Sequence, residues 1–228
     1  MSALHPYGVT RVQPPGLPPR PQVACLIIGI DGWEQYTLPL IQSIRRNEPT
    51  ASIVVVDNAS QTPYPTDVDA IVTRTARVSY ATAINHAAGI ARLITQVGWY
   101  VVLSNDVLCL GPFADQLPRQ TDSIVGPCLK ATNAAGQTWT YLEGWCVAAP
   151  KAAWDTLGGW DEGFVGSSWE DVAFSTAALQ RGMGLVHLPR LPFVHLDQRQ
   201  RFHVIPDYWS TEAANIRHFV ATYAGQQP

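Results

Sequence analysis

At 228 residues, 46% hydrophobic and 14% charged, the chain has the length and balance of one globular domain with a single sizeable core. A formal charge of -3 excludes a global basic footprint for nucleic acid, and the positive charge is nearly all Arg, with Lys130 and Lys151 the exceptions. No apolar stretch is long enough to span a membrane and no basic-then-apolar leader opens the chain. Cys25, Cys109, Cys128 and Cys146 stand apart without metal or redox spacing, so the expectation is a cytoplasmic protein with buried free thiols.

Residues 1–22 are too rich in Pro for a helix or a central strand and read as an extended arm. The run 23–30, VACLIIGI, reads as a buried strand ended by Asp31-Gly32. Helical spacing follows over 35–46, and 53–56 is a second buried strand tipped by Asp57-Asn58. Strand, helix, strand makes a right-handed βαβ unit with parallel strands, which brings Gly29, Ile30 and Asp31 to the same edge as Asp57 and Asn58. A short strand at 69–73 precedes a helix at 80–97 with an apolar stripe. On that helix Asn85 either bonds a neighbouring backbone group or meets a ligand arriving from the sheet edge.

The run 99–110, WYVVLSNDVLCL, lifts one polar tip, Ser104-Asn105-Asp106, between two apolar strands. Alone, such a tip reads as a turn bonding its own backbone. In open α/β sheets, however, ligands bind beyond the carboxyl ends of the strands, where an Asp suits a metal that carries phosphates. Further on, 123–129 and 138–148 read as an antiparallel strand pair and 151–157 as a short helix. Residues 160–169 form an aromatic, Gly-containing loop, and a helix over 170–181 begins with Glu170-Asp171. Short strands at 185–187 and 193–195 and a last amphipathic helix at 208–223 complete the chain. Acids at a helix start also serve as caps, His195 also suits a half-buried strand, and Trp145, Trp160 and Trp169 suit either a core or a sugar platform.

Taken together, VACLIIGID, IVVVDNAS, YATAINHAAG, VLSNDV, GGWDEGFVGSSWED and FVHL resemble, in order, the motifs of the family 2 glycosyltransferases over residues 23–196. The resemblance implies a GT-A fold: a single α/β, Rossmann-like domain with a mixed central sheet flanked by helices. Residues 23–112 are then the donor half and 113–205 the acceptor and catalytic half, with 206–228 a C-terminal helix and tail. It implies an inverting transferase using a nucleotide sugar, UDP-linked by preference, and Mn²⁺ or Mg²⁺.

By that resemblance the donor meets Gly29, Ile30, Asp31, Asp57, Asn58, Asn85, Ser104, Asn105 and Asp106, while Asp106 and His195 hold the metal. Asp171 is the base, Glu170 holds the acceptor hydroxyl, and Trp145, Trp160, Asp161 and Trp169 line the acceptor site. The chain departs from the pattern at Ser104, where the family has an acid, and at Arg77, Ser79 and Ile84. The acceptor is a hydroxyl of a glycan or glycoconjugate. One alternative is a hydroxylated base of nucleic acid, contacted by Arg190, Arg199, Arg201 and Arg217; another is a nucleotide-sugar binding module without turnover.

Overall fold

The structure, a computed structural model, describes residues 22–65, 68–119, 122–196 and 207–226. The Pro-rich arm before Gln22, together with Arg199 and Arg201, lies outside the described residues.

The first half of the chain opens with β1 (Val23–Gly29), a π-helical turn over Trp33–Thr37, α1 (Leu38–Asn47) and β2 (Ser52–Asp57). It continues through β3 (Ala70–Thr73), α2 (Tyr80–Ile94), β4 (Trp99–Ser104) and β5 (Val107–Cys109). The second half holds β6 (Ser123–Gly126), β7 (Leu129–Ala134), β8 (Gln137–Leu142), β9 (Cys146–Pro150) and α3 (Lys151–Leu157). It ends with α4 (Glu170–Gln180), β10 (Gly184–His187), β11 (Phe193–His195) and α5 (Tyr208–Tyr223). Among the described residues no helix is long and apolar enough to cross a membrane.

One seven-stranded sheet in the order β10-β6-β9-β4-β1-β2-β3 forms the centre. Its strands run parallel except β9, which is antiparallel to both β4 and β6. Because both faces are covered, the central strands are continuously apolar rather than alternating. Along β1, Val23, Cys25 and Ile27 pack with α1, Phe113 and Phe193, whereas Ala24, Leu26 and Ile28 pack with α2, Trp154 and Phe174. A third cluster, Trp139, Phe164, Trp169, Val172, Ala173 and Phe219, binds the 160–169 loop and α4 to α5 and the β7–β8 hairpin.

Local chemistry moved several boundaries. Pro39 sits in the first turn of α1, where its missing N–H costs nothing, and a wider turn precedes it. The span 138–148 is not one strand: Glu143-Gly144-Trp145 breaks it, leaving β8 in a hairpin with β7 and β9 in the central sheet. The span 123–129 ends early because Pro127 cannot donate to a ladder. Helix α2 stops at Ile94, where Thr95 turns extended.

Candidate active site

The turn between β4 and β5 presents Asp106, and the two-stranded sheet β5–β11 brings His195 to it, because His195 pairs with Val107. The imidazole Nε2 lies 3.1 Å from Asp106 Oδ1, with the side chains 15% and 4% exposed. Trp145 stacks on His195 with ring centroids 5.1 Å apart and planes at 15°. Its Nε1 donates to Glu143 Oε2 at 2.9 Å, and Glu143 pairs with Lys130. Next to the carboxylate, Asn105 donates to Thr37 Oγ1 at 3.3 Å. Among the described residues no group of three or more metal-binding side chains exists. One carboxylate and one imidazole fit a divalent cation whose remaining positions are filled by phosphate and water, and the nitrogen favours Mn²⁺ over Mg²⁺.

The second constellation stands at the start of α4. Trp169 adopts a left-handed conformation, φ 69°, which swings the chain so that Glu170 and Asp171 enter the helix from inside the protein. Glu170 is buried, with Oε1 accepting from Ser167 Oγ at 2.9 Å and Oε2 from the Ser168 N–H. Asp171 is half-buried; its Oδ1 accepts from the Val172 N–H and its Oδ2 from the Gly144 N–H, both at 2.9 Å. A Cβ on Gly144 would stand 3.1 Å from Asp171 Cβ, so any side chain there would crowd the carboxylate. Burial raises the Glu170 carboxyl above its ordinary range, and the Asp171 charge raises it further. Burial also raises Asp171, although the N–H bonds from Gly144 and Val172 oppose the shift.

Both constellations open into one cavity of about 1050 Å³. Of the residues singled out in the sequence, Ile30, Asn58, Ser104, Asn105, Asp106, Trp145, Trp169, Glu170, Asp171 and His195 line it. Arg77 and Ser79 line it as well, whereas Gly29, Asp31, Asp57, Asn85, Trp160 and Asp161 do not, each for a visible reason. Gly29 is where Tyr64 crosses β1: an added Cβ would meet the phenol oxygen at 2.5 Å. Asp31 accepts the Gln61 N–H at 2.7 Å, and Asp57, with no exposure, accepts the N–H groups of Ser60 and Tyr64, each at 3.0 Å. Asn85 takes the backbone alternative: it donates to Trp160 O at 2.8 Å and accepts from Trp160 N at 2.9 Å. Trp160 is buried, stacked on Phe174 at 5.2 Å, and Asp161 receives His218 and Tyr223 from α5.

Gly144, Tyr80 and the Lys130–Glu143 pair line the cavity too, and the sequence reading did not single them out as site residues. Gly144 was detectable, since a glycine inside an otherwise strand-like run marks a bulge or a close backbone approach.

A mixed, Rossmann-like sheet with one reversed strand is the architecture of the GT-A fold. Among solved structures, the chain is similar to GalNAc-T7 with UDP, GalNAc and Mn²⁺ (TM-score 0.64, 13% identity, 77% of this chain and 44% of that one). It is also similar to the mannosyltransferase PcManGT of Pyrobaculum calidifontis in complex with GDP-Man and Mn²⁺ (0.65, 16%, 92% and 66%). A third is the catalytic domain of Drosophila β1,4-galactosyltransferase 7 in complex with xylobiose (0.54, 14%, 85% and 79%). The chain therefore spans less than half of the first and about two thirds of the second. No protein-family model and no curated protein matches the sequence.

Proposed function

We propose that the protein is a metal-dependent, inverting glycosyltransferase that moves a sugar from a nucleotide-sugar donor to an acceptor hydroxyl of a glycan or glycoconjugate. The observation that carries this reading is the single cavity onto which both the Asp106–His195 pair and the Glu170–Asp171 pair open. Asp106 and His195 would hold a divalent cation, which when bound offsets the charge on the departing diphosphate. Ile30, Asn58, Ser104 and Asn105 line the donor end, while Gly29, Asp31, Asp57 and Asn85 keep its walls in shape.

Asp171 takes the proton of the acceptor hydroxyl as its oxygen attacks the anomeric carbon, and Glu170 orients that hydroxyl. Attack from the side opposite the diphosphate inverts the anomeric configuration. Support for a raised carboxylate in this role comes from its burial, since a base works best when its pKa approaches the working pH. UDP-linked donors are the first choice and GDP-linked donors the second; the structural neighbours were solved with UDP in one case and GDP-Man in another.

The test is nucleotide release and sugar transfer from a panel of UDP- and GDP-sugars with Mn²⁺, comparing wild type with Asp171→Asn. Asn retains the size and a hydrogen-bonding head group but accepts no proton. Turnover is expected to fall by roughly a hundredfold to ten-thousandfold with donor affinity preserved, and the thermal midpoint to drop modestly, because the Asn NH2 cannot accept one of the two N–H bonds that Asp171 receives. Near-normal turnover by Asp171→Asn would remove the base assignment. Absence of turnover and of Mn²⁺-dependent donor binding in the wild type would remove the whole reading.

A further inference from the structure

Between the metal tip and the acid pair lies one hydroxyl that the proposed reaction has not used, that of Tyr80. Tyr80 is the first residue of α2, fixed from three sides. Its N–H donates to Gly166 O at 2.7 Å, its ring stands edge-on to Trp160 with centroids 6.0 Å apart, and Trp160 itself is pinned by Asn85. The phenol therefore reaches into the cavity on a held ring. Its oxygen makes a long contact, 3.5 Å, to Gly144 O, the residue whose N–H holds Asp171, and Ser104 lines the same cavity.

Asp106, Glu170 and Asp171 line the same cavity as Tyr80, so the residue borders the space into which both ends of the proposed reaction open. Burial raises the phenol above its ordinary value, with the surrounding carboxylates adding to the effect, and it stays a neutral donor. In-line displacement puts the transferred sugar between the leaving diphosphate and the base, which is the space this hydroxyl faces. The bond to Gly144 is long enough to be exchanged for a better one.

We propose that the Tyr80 and Ser104 hydroxyls together form a neutral subsite that hydrogen-bonds a hydroxyl of the transferred sugar, making Tyr80 a determinant of donor-sugar recognition. The inference rests on the transferase reading and deepens it. A hydroxyl pair both donates and accepts, whereas the acid that the family pattern places at position 104 only accepts when ionised. The pair therefore suits an uncharged sugar hydroxyl and adds no negative charge beside the diphosphate.

The experiment compares Tyr80→Phe with wild type for Mn²⁺-dependent binding of the bare nucleoside diphosphate and of the matching nucleotide sugar, by calorimetry, with kcat and KM for transfer. Phenylalanine keeps the packing on Trp160 and removes only the hydroxyl. The nucleotide sugar is expected to bind about fivefold to tenfold more weakly, and the bare diphosphate within twofold of wild type. Ser104→Ala is expected to show the same selective loss, and the double variant less than the product of the two. Equal weakening of both ligands, or weakening of neither, overturns the subsite. If wild type binds neither ligand, it is the transferase reading that fails. Thermal unfolding of Tyr80→Phe within a few degrees of wild type establishes that the folded protein is being compared.

Discussion

Asp57 shows how a carboxylate at a strand tip is tied into the backbone around it. Its two carboxylate oxygens are committed to the N–H groups of Ser60 and Tyr64, and Tyr64 in turn reaches across β1 to hydrogen-bond Asp31 O and Thr37. Asp57→Ala leaves two backbone donors facing a buried gap, at a cost of about 1–3 kcal/mol for each that finds no water. The expected outcome is a clear drop in the thermal midpoint accompanied by weaker nucleotide binding, measured by calorimetry on the folded fraction. Weaker binding at an unchanged midpoint would instead make Asp57 a direct ligand. What the sequence disclosed at this scale was residue type and tip position. Asp57 and Asp106 are both acids at strand ends, yet one bonds backbone and the other opens into the cavity. The difference lies in the path of the 58–64 loop, which no local pattern encodes. Asn85 is parallel: its bonds to the Trp160 backbone depend on where the fold puts that residue, which the local sequence does not encode.

At the scale of elements, the join between the 160–169 loop and α5 has a consequence for pH. Asp161 receives His218 Nε2 at 2.8 Å, Tyr223 Oη at 3.0 Å and the Gly163 N–H at 2.8 Å. Burial works to raise this carboxyl, but the three hydrogen bonds outweigh burial and hold it below its ordinary range. A depressed folded pKa means that the contribution to stability is present above the unfolded value, about 3.9, and is lost as the pH falls through the lower folded value. Asp161→Asn is therefore expected to be less stable than wild type at neutral pH, with the gap in thermal midpoint closing in acid. A gap independent of pH would mean that the carboxylate charge plays no part. The helix itself was legible from its amphipathic spacing, and so were most strands of the central sheet. The β7–β8 hairpin was only half legible: its turn residues were plain, but Glu143-Gly144-Trp145 lies within a run whose strand propensity hides the break.

For the molecule as a whole, donor and metal binding report on stability through linkage. A ligand that binds only the folded protein, at a hundred times its dissociation constant, adds about 2.7 kcal/mol. A matching nucleotide sugar is expected to raise the thermal midpoint more with Mn²⁺ than without. Asp106→Ala should abolish the Mn²⁺-dependent part and His195→Ala reduce it, because Asp106 supplies the sole carboxylate of its tip. Full retention of the Mn²⁺ effect in Asp106→Ala would place the cation elsewhere. The parallel first half could be read from strand–helix alternation, because the right-handed crossover leaves few choices. The reversal of β9 could not, since an apolar run carries no mark of direction and the strand order depends on where the hairpin sends the chain.

That hairpin has a consequence for how such a chain can diversify. Leu129 and Leu142 face each other at its base, so the excursion leaves and re-enters the domain at a single point. Residues lost or gained two at a time from each strand move the tip outward or inward and keep every remaining side chain on its own face. A single residue turns a strand over. The hairpin therefore has a ruled scale of allowed lengths, with Lys130, Thr132 and Tyr141 fixed on the cavity side at every step and the central sheet undisturbed. Reach over the Glu170–Asp171 end of the cavity becomes a property that can change by increments, while the acid pair and the Asp106 tip stay where they are.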